Sequence, residues 1–404
     1  MRDILNIGLI GIGGFGSQYV KLLLEEGERR GVVFVGAVDP LPEASPYCAM
    51  LEERGVPVFP SISDFYSRIS ADLMVICSPI HFHSEQGALA MEQGSHVLCE
   101  KPVSATVQEA LELIRVRDIT GRLFAVGFQW AYDPAFRQLK SAVLQSKLGK
   151  PKRLSSLVLW PRDTGYFARP WAGRIKTKEG RWVWDSIVNN AAAHFLHAML
   201  HLLGKSEELS AWPVKVTAEL YRANSIENFD TAALRVVTED EVEICFYASH
   251  AVRDTVGPVF RFEFEEGTVF YNDPTVPESR ATLLVRYRNG TVTEFGKPSH
   301  NSLEKLWVVV DAIRGRGAIP CPLESGLAHT TCVQGVQESM PDIRMFPSSL
   351  INRTGNPVLV WVEGLAETLF SCYQMGLLPF ELSVPWARQG VPVRLSTYLS
   401  HLRQ

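Results

Sequence analysis

The chain has 404 residues, 46% of them hydrophobic and 21% charged, with a formal net charge of −4. That length exceeds one simple core, and the mild acidic balance gives no electrostatic ground for binding nucleic acid or an anionic membrane. The seven cysteines are scattered, odd in number and lack a CxxC pair, which predicts buried reduced thiols and a cytoplasmic protein; no apolar run is long enough to span a bilayer.

The first element is an apolar strand, Asn6 to Ile10, that ends in Gly11-x-Gly13-x-x-Gly16. A helix-like segment follows from Ser17 to Glu26, then an apolar run from Val32 to Val38 that ends at Asp39. Strand, glycine turn, helix, strand and acid form a dinucleotide-binding signature. Gly11 permits the tight turn, Gly13 lets the backbone approach a pyrophosphate, and Gly16 lets the helix pack close. The helix start favours phosphates through its N–H groups and its positive dipole end. Asp39 can accept hydrogen bonds from both ribose hydroxyls and repels a 2′-phosphate, which predicts NAD, with NADP possible. Because the apolar start is itself this motif, it does not read as a cleavable leader.

Further along, Leu73–Cys77 reads as a buried strand ended by Ser78-Pro79, and Ser84–Gln93 as a helix stopped by Gly94. His96–Cys99 is the next strand, Thr106–Thr120 a helix ended by Gly121, and Leu123–Val126 another strand. The alternation predicts a doubly wound, mostly parallel sheet over residues 1–126, with ligands beyond the carboxyl ends of its strands. Residues 127–404 have a different texture. Pro134–Lys147 looks helical, and alternating runs include 153–160, 214–221, 232–237, 242–249 and 260–265. They predict a second α/β domain with a large, mainly antiparallel open sheet. A loop rich in Arg, Trp and Tyr, 161–184, and a helix, 187–203, interrupt it. Helical patterns return at 303–314, 323–338 and 357–373, and the last 30 or so residues read as a tail packed on the body.

Lys101, in Glu100-Lys101-Pro102, lies just past a strand. It can hydrogen-bond a substrate hydroxyl and stabilise a developing alkoxide. The unperturbed pKa of an imidazole lies near neutrality, so His194 can take a proton as hydride leaves the same carbinol; on the expected helix Asn190 shares its face. His194, His197 and His201 have the spacing of metal ligands, but no carboxylate or cysteine motif completes a set, so no metal is expected. In the loop, Trp171 and Tyr166 can stack on a sugar while Arg162 and Arg169 donate to hydroxyls or carboxylates. The same residue types also mark subunit interfaces.

Taken together, Gly11-x-Gly13-Gly14-Phe15-Gly16, Asp39, Ser78-Pro79-Ile-His-Phe-His83 and Gly94-Ser-His-Val-Leu-Cys-Glu100-Lys101-Pro102 resemble the glucose–fructose oxidoreductase/inositol dehydrogenase (Gfo/Idh/MocA) family. Gly127-Phe-Gln-Trp130 and the segment 306–339 fit the same pattern. The resemblance implies a nicotinamide cofactor touched by the residues of these motifs. It also implies a sugar, polyol or glycoside substrate near Trp130, Asp185 and His197, and a homodimer or homotetramer built through the open sheet. It places the substrate hydroxyl between Lys101 and His194. Family members carry an acid four residues before the catalytic histidine; here that position is Asn190, which cannot accept a proton but can orient a hydroxyl. Two alternatives stay open: a glycoside-cleaving enzyme that oxidises its sugar transiently and recycles the cofactor, and a non-catalytic nucleotide-responsive binding protein.

Overall fold

The computed structural model describes residues 4–299 and 302–395, which fall into two compact units. The first takes the described residues through Tyr132 together with those from 302 to Leu327. The second takes Asp133–Ser299 and the described residues from Ala328 onward. The boundary expected at 126 thus moves to 132, and the segment after 301 returns to complete the first unit.

In the first unit six strands form one parallel sheet: β1 (Leu5–Ile10), β2 (Val32–Val38), β3 (Val58–Phe59), β4 (Leu73–Ile76), β5 (His96–Cys99) and β6 (Phe124–Val126). Their spatial order is β3-β2-β1-β4-β5-β6. Leu73, Met74, Val75 and Ile76 are all fully buried, as a strand covered on both faces requires. The order reverses between β1 and β4, which opens a crevice at the carboxyl ends of the strands. Helices Gly16–Glu26, His83–Glu92 and Val107–Thr120 make the crossovers. The last starts with a Thr106–Glu109 capping box and stops at left-handed Gly121. The returning segment supplies the helix Glu304–Ile313, and Cys321 accepts from the amide of Val126 at 2.8 Å.

The second unit is built on a ten-stranded sheet, counted among the described residues. Its main strands are β7 (Pro151–Leu159), β8 (Pro213–Arg222), β9 (Thr231–Thr238), β10 (Glu243–Ser249), β11 (Val256–Phe264), β12 (Gly267–Tyr271), β13 (Leu283–Tyr287) and β14 (Val292–Gly296). They run in the order β14-β13-β12-β11-β7-β10-β9-β8, antiparallel throughout except that β7 and β10 are parallel. Strand alternation gives one apolar face, with Leu154, Leu234, Phe246, Phe260 and Phe262 all buried, and one polar face, with Arg153, Glu219, Arg235, Glu243 and Glu263.

That polar face is not bare. The helix Leu365–Met375 and the residues that follow lie across it. Tyr247 donates to the carbonyl of Leu377 at 2.9 Å, Arg235 reaches the carbonyl of Gly376 at 3.0 Å and pairs with Glu381, and the amide of Phe380 donates to Glu219 at 3.0 Å. Burial pushes the Glu219 carboxyl up to about 7. The expected packed tail is present as far as residue 395, residues 396–404 of that expectation lying outside the described ones, and the open sheet on which assembly was expected is closed over its β8–β10 region by the chain itself.

Two expected helices change. Residues 357–373 split into a strand, Leu359–Val362, paired with Ile351–Thr354, and a helix that starts at Leu365. Alternating Val358, Val360 and Val362 favour extension, and Gly364 at φ +69° breaks the two apart. The helix expected over 187–203 is regular only from Ala193 to Leu202, and irregular turns precede it. No helix among the described residues is long and apolar enough to cross a membrane.

Candidate functional site

In the first unit the glycine turn is built from the strand outward. The amide of Gly11 continues the sheet by donating to Val38 at 2.8 Å, and its φ of +83° suits glycine. A Cβ on Gly16 would lie 1.9 Å from the carbonyl oxygen of Gly11, so only glycine lets the helix start sit on the turn. A Cβ on Gly13 or Gly14 would meet nothing within 4 Å, leaving the turn backbone open beside the helix N-terminus. Asp39 accepts from the amides of Ile12 and Leu41, each at 3.0 Å, which ties the turn to the end of β2. Each carboxylate oxygen keeps a second lone pair for a hydroxyl. Open backbone, positive helix end and carboxylate together fit a dinucleotide. Phe15 stands at the start of the helix, 38% exposed.

Two other expected cofactor contacts turn inward instead. His83 is buried, with Nδ1 2.7 Å from the carbonyl of Pro102 and Nε2 2.8 Å from that of Ser78. It staples the loops after β4 and β5 together. Burial pulls its pKa below the ordinary value, against the two carbonyls that favour the charged ring. Ser78 is occupied with Gln86 at 2.6 Å, and Pro79 opens the short turn Ile80–Phe82.

Glu100 is likewise buried. It pairs with Lys305 at 2.5 Å and accepts from the hydroxyl of Tyr19 at 2.9 Å, while Lys305 also donates to the carbonyl of Gly127 at 3.1 Å. This network fixes the end of β5, so that half-buried Lys101 leaves a rigid base. Trp130, expected near substrate, is buried in the turn Gln129–Tyr132. Lys305 is a residue that sequence reasoning missed. Its signal was available: it sits beside Leu306, Val309 and Val310 on the apolar side of a helix, where a lysine requires a carboxylate.

In the second unit the key side chain is Asp185, 2% exposed. One carboxylate oxygen accepts the amide of Gly173 at 2.6 Å and the other accepts from Asn190 at 2.8 Å. A carboxylate only accepts, so the Asn190 atom facing it is the NH2 group. Asn228 extends the knot: its side chain donates to the Asp185 carbonyl at 3.0 Å, its amide donates to the carbonyl of Gly173 at 2.8 Å, and Gln337 donates to its side-chain oxygen at 3.1 Å. Asn228 and Gln337 carried no sequence signal, because each lies far along the chain from the residues it holds. Asn190 precedes the helix Ala193–Leu202, and its amide donates to the carbonyl of Ser186 at 2.9 Å. It therefore does not share a helix face with His194, which is half-buried in the first turn. Asp185 reaches Asn190 because irregular turns separate the two before the helix begins.

The loop residues do come together. The Arg169 guanidinium lies 4.0 Å from the Tyr166 ring and 4.5 Å from that of Trp171, and Arg162 lies 5.2 Å from Tyr166. The arginines thus occupy ring surface on which a sugar was expected to stack. Tyr166 also packs beside His250, which burial pulls down to about 3.

His197, expected near substrate, is fully buried and stacks on His201 with centroids 5.5 Å apart. Buried Lys140 stands 3.3 Å from His201 and donates to the carbonyl of Leu209 at 2.7 Å. Burial, then the neighbouring cations and rings, hold both histidines well below the ordinary pKa, so both are neutral packing groups. Among the described residues no group of three or more His, Cys, Asp or Glu side chains is placed to hold a metal ion.

Comparison with known proteins finds a family match over the first unit's strands. Residues 5–128 match the GFO_IDH_MocA model, an oxidoreductase family with an NAD-binding Rossmann fold. Inositol 2-dehydrogenase 3 of Saccharopolyspora erythraea is 28% identical over 148 residues, 36% of this chain and 43% of that protein. The inositol 2-dehydrogenase of Mycolicibacterium gilvum is 25% identical over 256 residues, 61% of this chain and 66% of its own. The chain thus spans less than two thirds of the length of these relatives. The crystal structure of the WlbA dehydrogenase from Bordetella pertussis, in complex with NADH and UDP-GlcNAcA, superposes with a TM-score of 0.68 at 21% identity. That match covers 84% of this chain and 97% of the other, and shows a shared fold.

Lys305→Met is expected to cost about 3–5 kcal/mol in denaturant unfolding, because it strands a buried carboxylate, and Glu100→Gln combined with Lys305→Met should recover most of that loss. A second expectation concerns acid. The unfolded chain protonates His197 and His201 below about pH 6.5 while the folded chain does not, so their contribution is complete above that pH and is lost as pH falls beneath it. Urea unfolding at pH 7.5 and 5.5 should differ by about 2–3 kcal/mol more in the native chain than in a variant with both histidines replaced by glutamine.

Proposed function

We propose that this chain, whose N-terminal domain belongs to the Gfo/Idh/MocA oxidoreductase family, moves a hydride between NAD and a hydroxyl-bearing carbon of a sugar, polyol or glycoside. The observation that carries the reading is Lys101 on its fixed base at the carboxyl end of β5, in a unit whose glycine turn and Asp39 fit a dinucleotide. The relatives named for inositol, and the fold neighbour solved with a nucleotide sugar, support a polyhydroxylated substrate.

NAD supplies the hydride acceptor in this reading, and the protein supplies charge, geometry and a proton path. Lys101 donates to the substrate oxygen and stabilises negative charge that develops there. His194 takes the hydroxyl proton on a ring nitrogen during oxidation and returns it in the reverse direction. Asn190 gives its NH2 group to Asp185, which turns its amide oxygen into the acceptor that orients the hydroxyl. Asp185 is then a positioning residue, one hydrogen bond behind the position where relatives carry an acid.

Lys101→Ala and His194→Ala should each lower turnover by about two orders of magnitude or more, followed as absorbance of reduced nicotinamide against a panel of polyols, sugars and glycosides. Rates within a few-fold of the native enzyme for both variants would remove the assignment. In the native enzyme, many turnovers per site identify a dehydrogenase. A burst of at most one equivalent with product still accumulating identifies recycled cofactor instead. Asp39→Ala should weaken NAD binding more than NADP binding in a calorimetric titration, because the carboxylate both accepts from the ribose hydroxyls and repels a 2′-phosphate. Equal weakening of both would contradict the NAD preference.

A further inference from the structure

The segment 174–185 folds back on itself as a β-hairpin. Asp185 donates its amide to Arg174 at 2.9 Å, Thr177 donates to Arg181 at 2.8 Å, and Lys176 pairs with Trp182. Val183 and Trp184 both donate to the carbonyl of Ile175, at 2.9 and 3.1 Å, which is a β-bulge. In an ordinary strand residues two apart stand about 7 Å from each other on one face. Here the rings of Trp182 and Trp184 stack at 4.5 Å with planes 13° apart. The bulge that brings them together holds Trp184 at φ +51°, a left-handed conformation that a bulky side chain rarely adopts and that clusters at ligand clamps. Trp182 is 37% exposed, and the ammonium of Lys176 rests 3.8 Å from the centre of its ring.

The hairpin segment itself is mainly cationic: Arg174, Lys176, Lys178 and Arg181 stand against Glu179, in a molecule whose formal charge is −4, and the carboxylate of Glu227 is tied down by the amide of Ile175 at 3.1 Å. The hairpin is also rooted in the candidate site. Asp185, its last residue, holds Asn190, and Asn189 donates to the Trp184 carbonyl at 3.2 Å.

We propose that this hairpin is a second binding subsite, an aromatic and cationic platform for the anionic sugar ring of an extended glycoside. The proposal rests on the oxidoreductase reading for the ring that reacts, and deepens it by naming the substrate class. A solvent-exposed cation–π contact is weak, so Lys176 leaves the indole at little cost. The vacated indole then takes the apolar face of a sugar, and the ammonium pairs with the sugar carboxylate.

The test is calorimetric titration of the full chain, with NAD present, using 4-nitrophenyl β-D-glucuronide and its uncharged counterpart 4-nitrophenyl β-D-glucoside. The native protein should bind the glucuronide about tenfold more tightly, and high salt should erode that preference. Trp182→Ala should weaken both probes about tenfold, and Trp182→Phe should recover part of the loss. Lys176→Ala should abolish the preference while retaining the glucoside affinity. Trp182 and Lys176 are exposed, and circular dichroism confirms that each variant is folded. Failure of either probe to bind, equal affinity for the two, or unchanged binding by Trp182→Ala overturns the platform. Selective glucuronide binding without nicotinamide reduction in any assay leaves the platform standing and removes the oxidoreductase reading.

Discussion

A buried ion pair governs the first unit. Lys305 and Glu100 are both almost fully removed from solvent, and neither charge could be carried there alone. Their contact, with Tyr19 and Gly127 as further partners, ties the first helix, the ends of β5 and β6 and the returning helix to one point. Everything the cofactor side needs is arranged around that point. The loop carrying Lys101 starts there, and His83 fastens the same loop to the one after β4. The backbone of that loop is held at both ends by buried groups, Glu100 with Lys305 and His83 with its two carbonyls.

In the second unit the comparable point is a buried carboxylate. Asp185 is buried and accepts from N–H donors that include the amide of Gly173 and the side chain of Asn190. Gly173 is confined in turn: at φ +68° a Cβ would lie 2.7 Å from Ile226. Asn190 therefore sits beside a buried carboxylate and presents a neutral amide in front of it. His197 and His201, further along the helix that carries His194, stay neutral through burial.

Much of this was legible in the chain. The glycine turn, Asp39 and the alternation of apolar runs with helices determine the parallel sheet, because each is a local signal with one structural solution. Lys101 could be placed because it follows a strand in that sheet. The long alternating runs gave the antiparallel sheet for the same reason. What escaped is what depends on partners distant in sequence. His83 and Glu100 lie inside a cofactor motif, yet the structure turns both inward. Asn190 and His194 have helical spacing, but the helix starts only at Ala193, and no local pattern marks the irregular turns before it. Lys305, Asn228 and Gln337 are ordinary polar residues until their partners are known. In the loop 161–184 the candidate residues named from the sequence stop at Trp171, since the stacking of Trp182 on Trp184 follows from a bulge that spacing does not reveal.

The return of the chain to the first unit has a consequence for biosynthesis. Gly127 accepts from a lysine 178 residues further along, and Glu100 waits for the same side chain. A ribosome therefore releases the six parallel strands long before the helix that neutralises their buried carboxylate. The parallel sheet emerges before the lysine that pairs its buried carboxylate, and the polar face of the second sheet stays uncovered until residues 365–381 are made. The order of synthesis makes the stretch from 304 to 381 the part that locks both units, and a ribosome stalled before it leaves each of them incomplete.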